Sequence, residues 1–155
     1  MVFRNMIKLK RCLVNDFVMM NNVLKTIKER RAVRRYKDKK IPENVINEII
    51  DAGRYAPSAM NRQPWKFIVI TNKSLIKELS DDMTKRLLNI STRVRERMKT
   101  MSDPVFYSAP LLVFVLGEKN DEWIYADCGI CSQNMMLAAY SLGIASCFIG
   151  MAKHI

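Results

Sequence analysis

A mixed helix-and-strand fold built on one sheet, α/β or α+β, is what the sequence of 155 residues predicts. Three observations predict it. Helical patterns come first and short β-branched runs then alternate with further helical stretches, an order expected of layers around a single sheet. The two clearest strand-like runs, 66–71 and 111–116, are almost wholly apolar, as in a sheet covered on both faces. A largely apolar helical stretch, 123–142, reads as an interior helix rather than a surface one.

In chain order, residues 1–20 have no signal-peptide character, because Asn15 and Asp16 interrupt any apolar centre. They read as an N-terminal extension that is disordered, or as an upstream start that goes unused. Residues 22–31 place Val23, Leu24 and Ile27 on one helical face. After an exposed turn at 37–41, Pro42 opens the clearest helix, with Val45, Ile46, Ile49, Ile50 and Gly53 as one stripe and Glu43 in its first turn. The stretch Ala56-Pro57-Ser58-Ala59-Met60-Asn61-Arg62-Gln63-Pro64-Trp65 follows, an irregular loop whose two prolines restrict its shape. Strand 66–71 leads to one long helix over 74–99, with Leu75, Ile76, Leu79, Met83 and Leu87 inward, ended by Asp103-Pro104. Strand 111–116, the helix 123–142, Gly143 at its C-terminus and a third short strand 145–149 complete the order.

Bulk properties narrow the function classes. Nearly half the residues are hydrophobic, enough for one domain with a real core and against disorder. No apolar run approaches the ~18 residues of a membrane helix. The net charge is +11, and residues 21–40 hold nine Lys or Arg against Glu29 and Asp38. That excess fits nucleic acid or a phosphate-bearing cofactor. Only Tyr36 offers an aromatic nearby and no nucleic-acid motif is present, so a nucleic-acid module is the distant alternative.

Four cysteines and one histidine do not make a zinc site or a secreted disulfide framework, and the cysteine usage fits a reducing compartment, the cytoplasm. Cys128 and Cys131 have C-x2-C spacing inside a helical pattern, so buried thiols are the first reading and a redox pair the second. A single His excludes a Ser-His-Asp arrangement, and no glycine-rich phosphate loop of the common types occurs. Any catalysis therefore falls to a bound cofactor. Arg30, Arg31 and Arg34, with planar forks of donors, are the first candidates to hold one, a solvated basic face being the alternative.

Four segments in order carry a resemblance: Arg30-Arg31-Ala32-Val33-Arg34; Ala56 to Trp65; Asp103-Pro104-Val105-Phe106-Tyr107-Ser108-Ala109-Pro110; and Leu137 to Gly150. Together they resemble the FMN-dependent nitroreductase family over about residues 22–151. The resemblance implies an α+β fold with α/β-type layers, a central, mostly antiparallel sheet flanked by helices, and an intertwined homodimer with FMN at the interface. Residues 21–155 would be the FMN-binding domain. It implies ping-pong hydride transfer from NADH or NADPH to FMN and then to a nitroaromatic, quinone or similar small-molecule acceptor, with no partner nucleic acid or membrane.

Carried over by position, Arg30 would meet the FMN phosphate, Arg31 and Ala32 would border the cofactor, and Arg34 would reach the pyrimidine edge. The family commonly has Ser where Ala32 stands. Pro57, Ser58, Ala59 and Asn61 would come from the partner subunit, with Gln63 and Trp65 structural. Ile149, Gly150 and Met151 would pass under the flavin. Family chains usually continue past the position of Ile155 with a strand or arm that embraces the partner. The expectation for this sequence is therefore weaker FMN affinity and a weaker dimer, or, as the alternative function, a non-catalytic FMN-binding remnant.

Overall fold

The computed structural model describes residues 21–88, 92–118 and 122–150, without the side chains of residues 93 and 94. The expectations for 1–20 and for Met151 lie outside the described residues.

Helix α1 spans Asn22–Glu29 and begins where the Asn21 side chain accepts the Val23 N–H at 2.8 Å, satisfying one of the free donors of the first turn. Its apolar residues Val23, Leu24 and Ile27 stay exposed. Helix α2, Glu43–Arg54, follows the fixed φ of Pro42 and buries Ile46, Ile49, Ile50 and Gly53, four members of the stripe read from the sequence. Each buried Ile side chain contributes about 1.5–3 kcal/mol relative to exposure.

A short 3-10 turn, Ala59–Asn61, precedes strand β1, Lys66–Ile70, which pairs antiparallel with β2, Leu112–Leu116, in the register Ile68 opposite Phe114. Here the sequence reading needs correction. The two strands alternate less completely with protein cover than their apolar content implies: Ile68 and Val69 are 47% and 41% exposed. The third expected strand, 145–149, reduces to one parallel bridge between Ser146 and Ala32. The segment facing it is the charged run Arg30–Arg35, which extends no ladder. The stretch expected as one long helix over 74–99 is helical as α3 at Lys73–Leu88 and α4 at Thr92–Met98, and residues 89–91 lie outside the described residues. Leu75 of α3 is exposed, while Ile76, Met83 and Leu87 pack with Val105 and Phe106.

Helix α5, Ile124–Ser141, packs on α2. The close approach comes through Gly53, where a Cβ would lie 2.8 Å from Met135 Cγ and 3.1 Å from Cys131 Sγ. Gly129 of α5 faces open space. Gly143, at φ +76°, closes α5. Its N–H bonds the Tyr140 carbonyl at 3.0 Å and the Ile144 N–H reaches back to the Ala139 carbonyl at 2.8 Å, a left-handed cap of the kind glycine favours. Cys131 is wholly buried and burial pushes its thiol up to about 11, so it holds its proton at neutral pH.

Candidate functional site

The basic segment leaves α1 at Arg30, which is half-buried, and runs extended to Tyr36. It is fastened to the end of the chain beyond α5. Ala32 bridges Ser146, and the Val33 N–H donates to the Ser146 carbonyl at 3.1 Å. The arginine segment therefore meets, at Ser146, the stretch that runs on to Ile149 and Gly150. Ser146 Oγ is buried there with no hydrogen-bond partner among the described residues. A Cβ on Gly150 would meet nothing within 4 Å, so the backbone at that end borders free space.

The arginines are disposed differently. Arg31 folds back, its Nη1 donating to the carbonyls of Lys28 at 2.6 Å and Arg30 at 3.0 Å, where the last carbonyls of α1 lack helical partners. Arg34 lies over the ring of Tyr107, 5.9 Å from its centroid. The Tyr36 hydroxyl donates to the Val33 carbonyl at 2.6 Å. Burial, joined by Cys147 and Tyr107 and opposed by Arg34, pushes its phenol up to about 12. Tyr36, Tyr107, Cys147 and Arg34 therefore form one neighbourhood. Beside it, an open groove of about 610 Å³ runs between α1 and the end of α5, lined by Lys25, Glu29, Arg31, Val33, Tyr140 and Gly143 among others. The Tyr140 hydroxyl and Glu29 bond across it at 3.2 Å.

The loop 56–65 is held at both ends by buried side chains, Ala56 and Trp65. Between them the backbone projects outward. Met60, Asn61 and Gln63 all have positive φ, 52°, 54° and 49°, values that ordinarily belong to glycine or asparagine. Met60 is 84% exposed. Ser58 Oγ accepts the Gln63 N–H at 2.8 Å, and the buried carboxylate of Asp127 on α5 accepts the Ala59 N–H at 3.2 and 3.3 Å. Among the described residues, the hydrogen bonds of Pro57–Asn61 run within the loop or to Asp127, none to Arg30–Arg34 or Ile149–Gly150. Among the described residues, no hydrogen bond therefore joins this third expected segment of the site to the other two.

A second strained loop precedes β2. Tyr107 and Ser108 have φ of 59° and 56°. Asp103 organises it: Oδ1 accepts from Ser80 Oγ at 2.6 Å and from the N–H groups of Val105 and Phe106, and Oδ2 accepts the Ser108 N–H at 2.8 Å. Neither Asp103 nor Asp127 stood out as a functional residue in the sequence. The available signals were an Asp beside a proline, a frequent turn former, and a lone acid in an apolar helix.

This donor set suits a planar anionic cofactor carrying a phosphate. Among the described residues it offers the guanidinium groups of Arg30 and Arg34, with Arg31 turned back on α1, a buried Ser146 hydroxyl without a hydrogen-bond partner and a backbone edge beside open space.

Comparison with known proteins agrees. The family model described as the nitroreductase family matches residues 27–154. A protein of Methanothermobacter thermautotrophicus carrying the name NADH dehydrogenase/NAD(P)H nitroreductase is 33% identical over 84% of this chain, which spans 61% of that relative's length. An iodotyrosine deiodinase of Thermotoga neapolitana is 27% identical over 77% of this chain and 68% of its own length. A nitroreductase of Bacteroides fragilis, crystallised with bound FMN, superimposes with a TM-score of 0.77 at 41% identity, covering 84% of this chain and 71% of its own. The order of the segments, the α+β architecture and the length of the match lead to one conclusion: this chain belongs to the nitroreductase family.

Proposed function

We propose that this chain is a flavin-dependent oxidoreductase that binds FMN and is reduced by NADH or NADPH. The observation that carries the proposal is the Ala32–Ser146 bridge, which ties the arginine segment to the stretch that runs on to Ile149 and Gly150. Bound FMN would supply the redox chemistry, taking a hydride from the nicotinamide donor and then passing reducing equivalents to a nitroaromatic, quinone or similar acceptor in ping-pong order.

The chain's own residues would bind and orient. Arg30 holds the phosphate and Arg31 and Ala32 border the cofactor, with Ser146 Oγ supplying a hydrogen bond where Ala32 has none to give. Arg34 places a fixed cation at the pyrimidine edge, where reduction adds negative charge. Ile149, Gly150 and Met151 line the face below the ring. Pro57, Ser58, Ala59 and Asn61 would complete the site from a second copy, as the family resemblance implies, a reading supported by the exposure of their loop and by the lack, among the described residues, of a hydrogen bond from it to its own arginine segment. The functional unit is then a homodimer acting on a small molecule.

FMN fluorescence titration tests this reading. Saturable quenching near one FMN per chain, weakened severalfold or more in Arg30→Ala, is the expected outcome. No quenching up to high micromolar protein contradicts it. Turnover separates the oxidoreductase from a protein that binds FMN without catalysis. The iodotyrosine deiodinase among the relatives makes reductive deiodination an acceptor reaction to assay beside nitro reduction.

A further inference from the structure

A tyrosine rarely adopts φ near +60°, and here one does so at the edge of the arginine segment. Its strain is offset locally. Asp103 receives three backbone N–H groups around Tyr107 and is itself anchored by Ser80. The buried ring is tied at its far end as well, with Arg97 Nη1 donating to the Tyr107 hydroxyl at 3.2 Å. The exposed Arg34 guanidinium lies over this ring, 5.9 Å from the centroid. A long, flexible cation has thereby acquired a rigid aromatic platform whose own backbone is held in an unfavourable conformation.

We propose that Tyr107 is a positioning residue for Arg34: its ring, fixed by Asp103 and Arg97, holds the guanidinium in place to stabilise the negative charge of reduced flavin. The proposal rests on the FMN reading of Arg34 given above. A cation held before reduction stabilises developing charge without first having to be ordered. Loss of the platform lowers affinity for reduced FMN more than for oxidised FMN, and so lowers the midpoint potential of the bound cofactor.

The test is the midpoint potential of the FMN-loaded protein, with the affinity for oxidised FMN measured alongside. In Tyr107→Leu the ratio of reduced to oxidised affinity should fall about tenfold, equivalent to about 30 mV for a two-electron couple. Tyr107→Phe keeps the ring and loses only the bond from Arg97, so it should restore most of the potential. Arg97→Ala should match Tyr107→Phe, and combining the two should add nothing further. Should Tyr107→Leu fail to fold, judged by a thermal melt of the apoprotein, the agreement of these two variants decides.

An unchanged potential in Tyr107→Leu, with a lowered one in Arg34→Ala, overturns the platform and leaves the FMN reading standing. Unequal or additive shifts in Tyr107→Phe and Arg97→Ala likewise overturn it. Native protein that binds no FMN overturns both readings.

Discussion

Asn61 and Trp65 lie four residues apart and face opposite demands. Trp65 is buried in the main core, and Trp65→Ala should cost about 3–5 kcal/mol in urea unfolding. Asn61 is exposed in a left-handed conformation, so Asn61→Gly keeps the backbone while removing the side chain. We predict that this variant melts within a few degrees of the native protein and binds FMN severalfold more weakly; unchanged affinity would remove Asn61 from the site. Asp127 is a different case. Asp127→Ala leaves the Ala59 N–H without its acceptor, and stability should fall by about 1–3 kcal/mol, while Asp127→Asn, still able to accept, should fall less. The role of Trp65 was legible because a large aromatic at the head of an apolar strand has one common use. That of Asp127 was not, because its partner is 68 residues away and nothing local in a sequence pairs the two.

At the scale of elements, α2 was the most legible, since its stripe is read at helical period and its burial follows. The third strand was not. Its β-forming residues were visible, but a strand needs a neighbour to pair with, and the neighbour is a charged run that offers a single bridge. Packing of α2 on α5 makes Gly53 sensitive. Gly53→Ala gains helix propensity of about 1 kcal/mol but crowds Met135 and Cys131, at a cost of about 1–3 kcal/mol, so a net loss of roughly 1 kcal/mol is expected in denaturant titration. Burial of Cys131 also ties this interface to pH. Its thiol is raised in the folded state from 9.0 to about 11. The stabilisation is therefore complete below pH 9 and lost as pH rises toward 11. Unfolding curves from pH 8 to 10 should show this decline, and Cys131→Ala should flatten it.

For the whole molecule, the α+β class and the order of the segments were legible because each segment carries its own local pattern. Which segments meet was not, since that depends on contacts distant in sequence. Exposed apolar side chains on α1, on β1 and at Trp123 and Tyr125 give a monomer little reason to remain one. Sedimentation should report a dimer whose stability increases with bound FMN. The proposed function requires that the arginine segment and the stretch after α5 hold a flavin that accepts a hydride. The most direct measurement is the visible absorbance of the FMN-reconstituted protein, separated from free FMN, before and after NADH or NADPH under anaerobic conditions. Flavin bands that travel with the protein and bleach on addition of one of the two donors are the expected result. A colourless protein after reconstitution, or bands that neither donor bleaches, would contradict it.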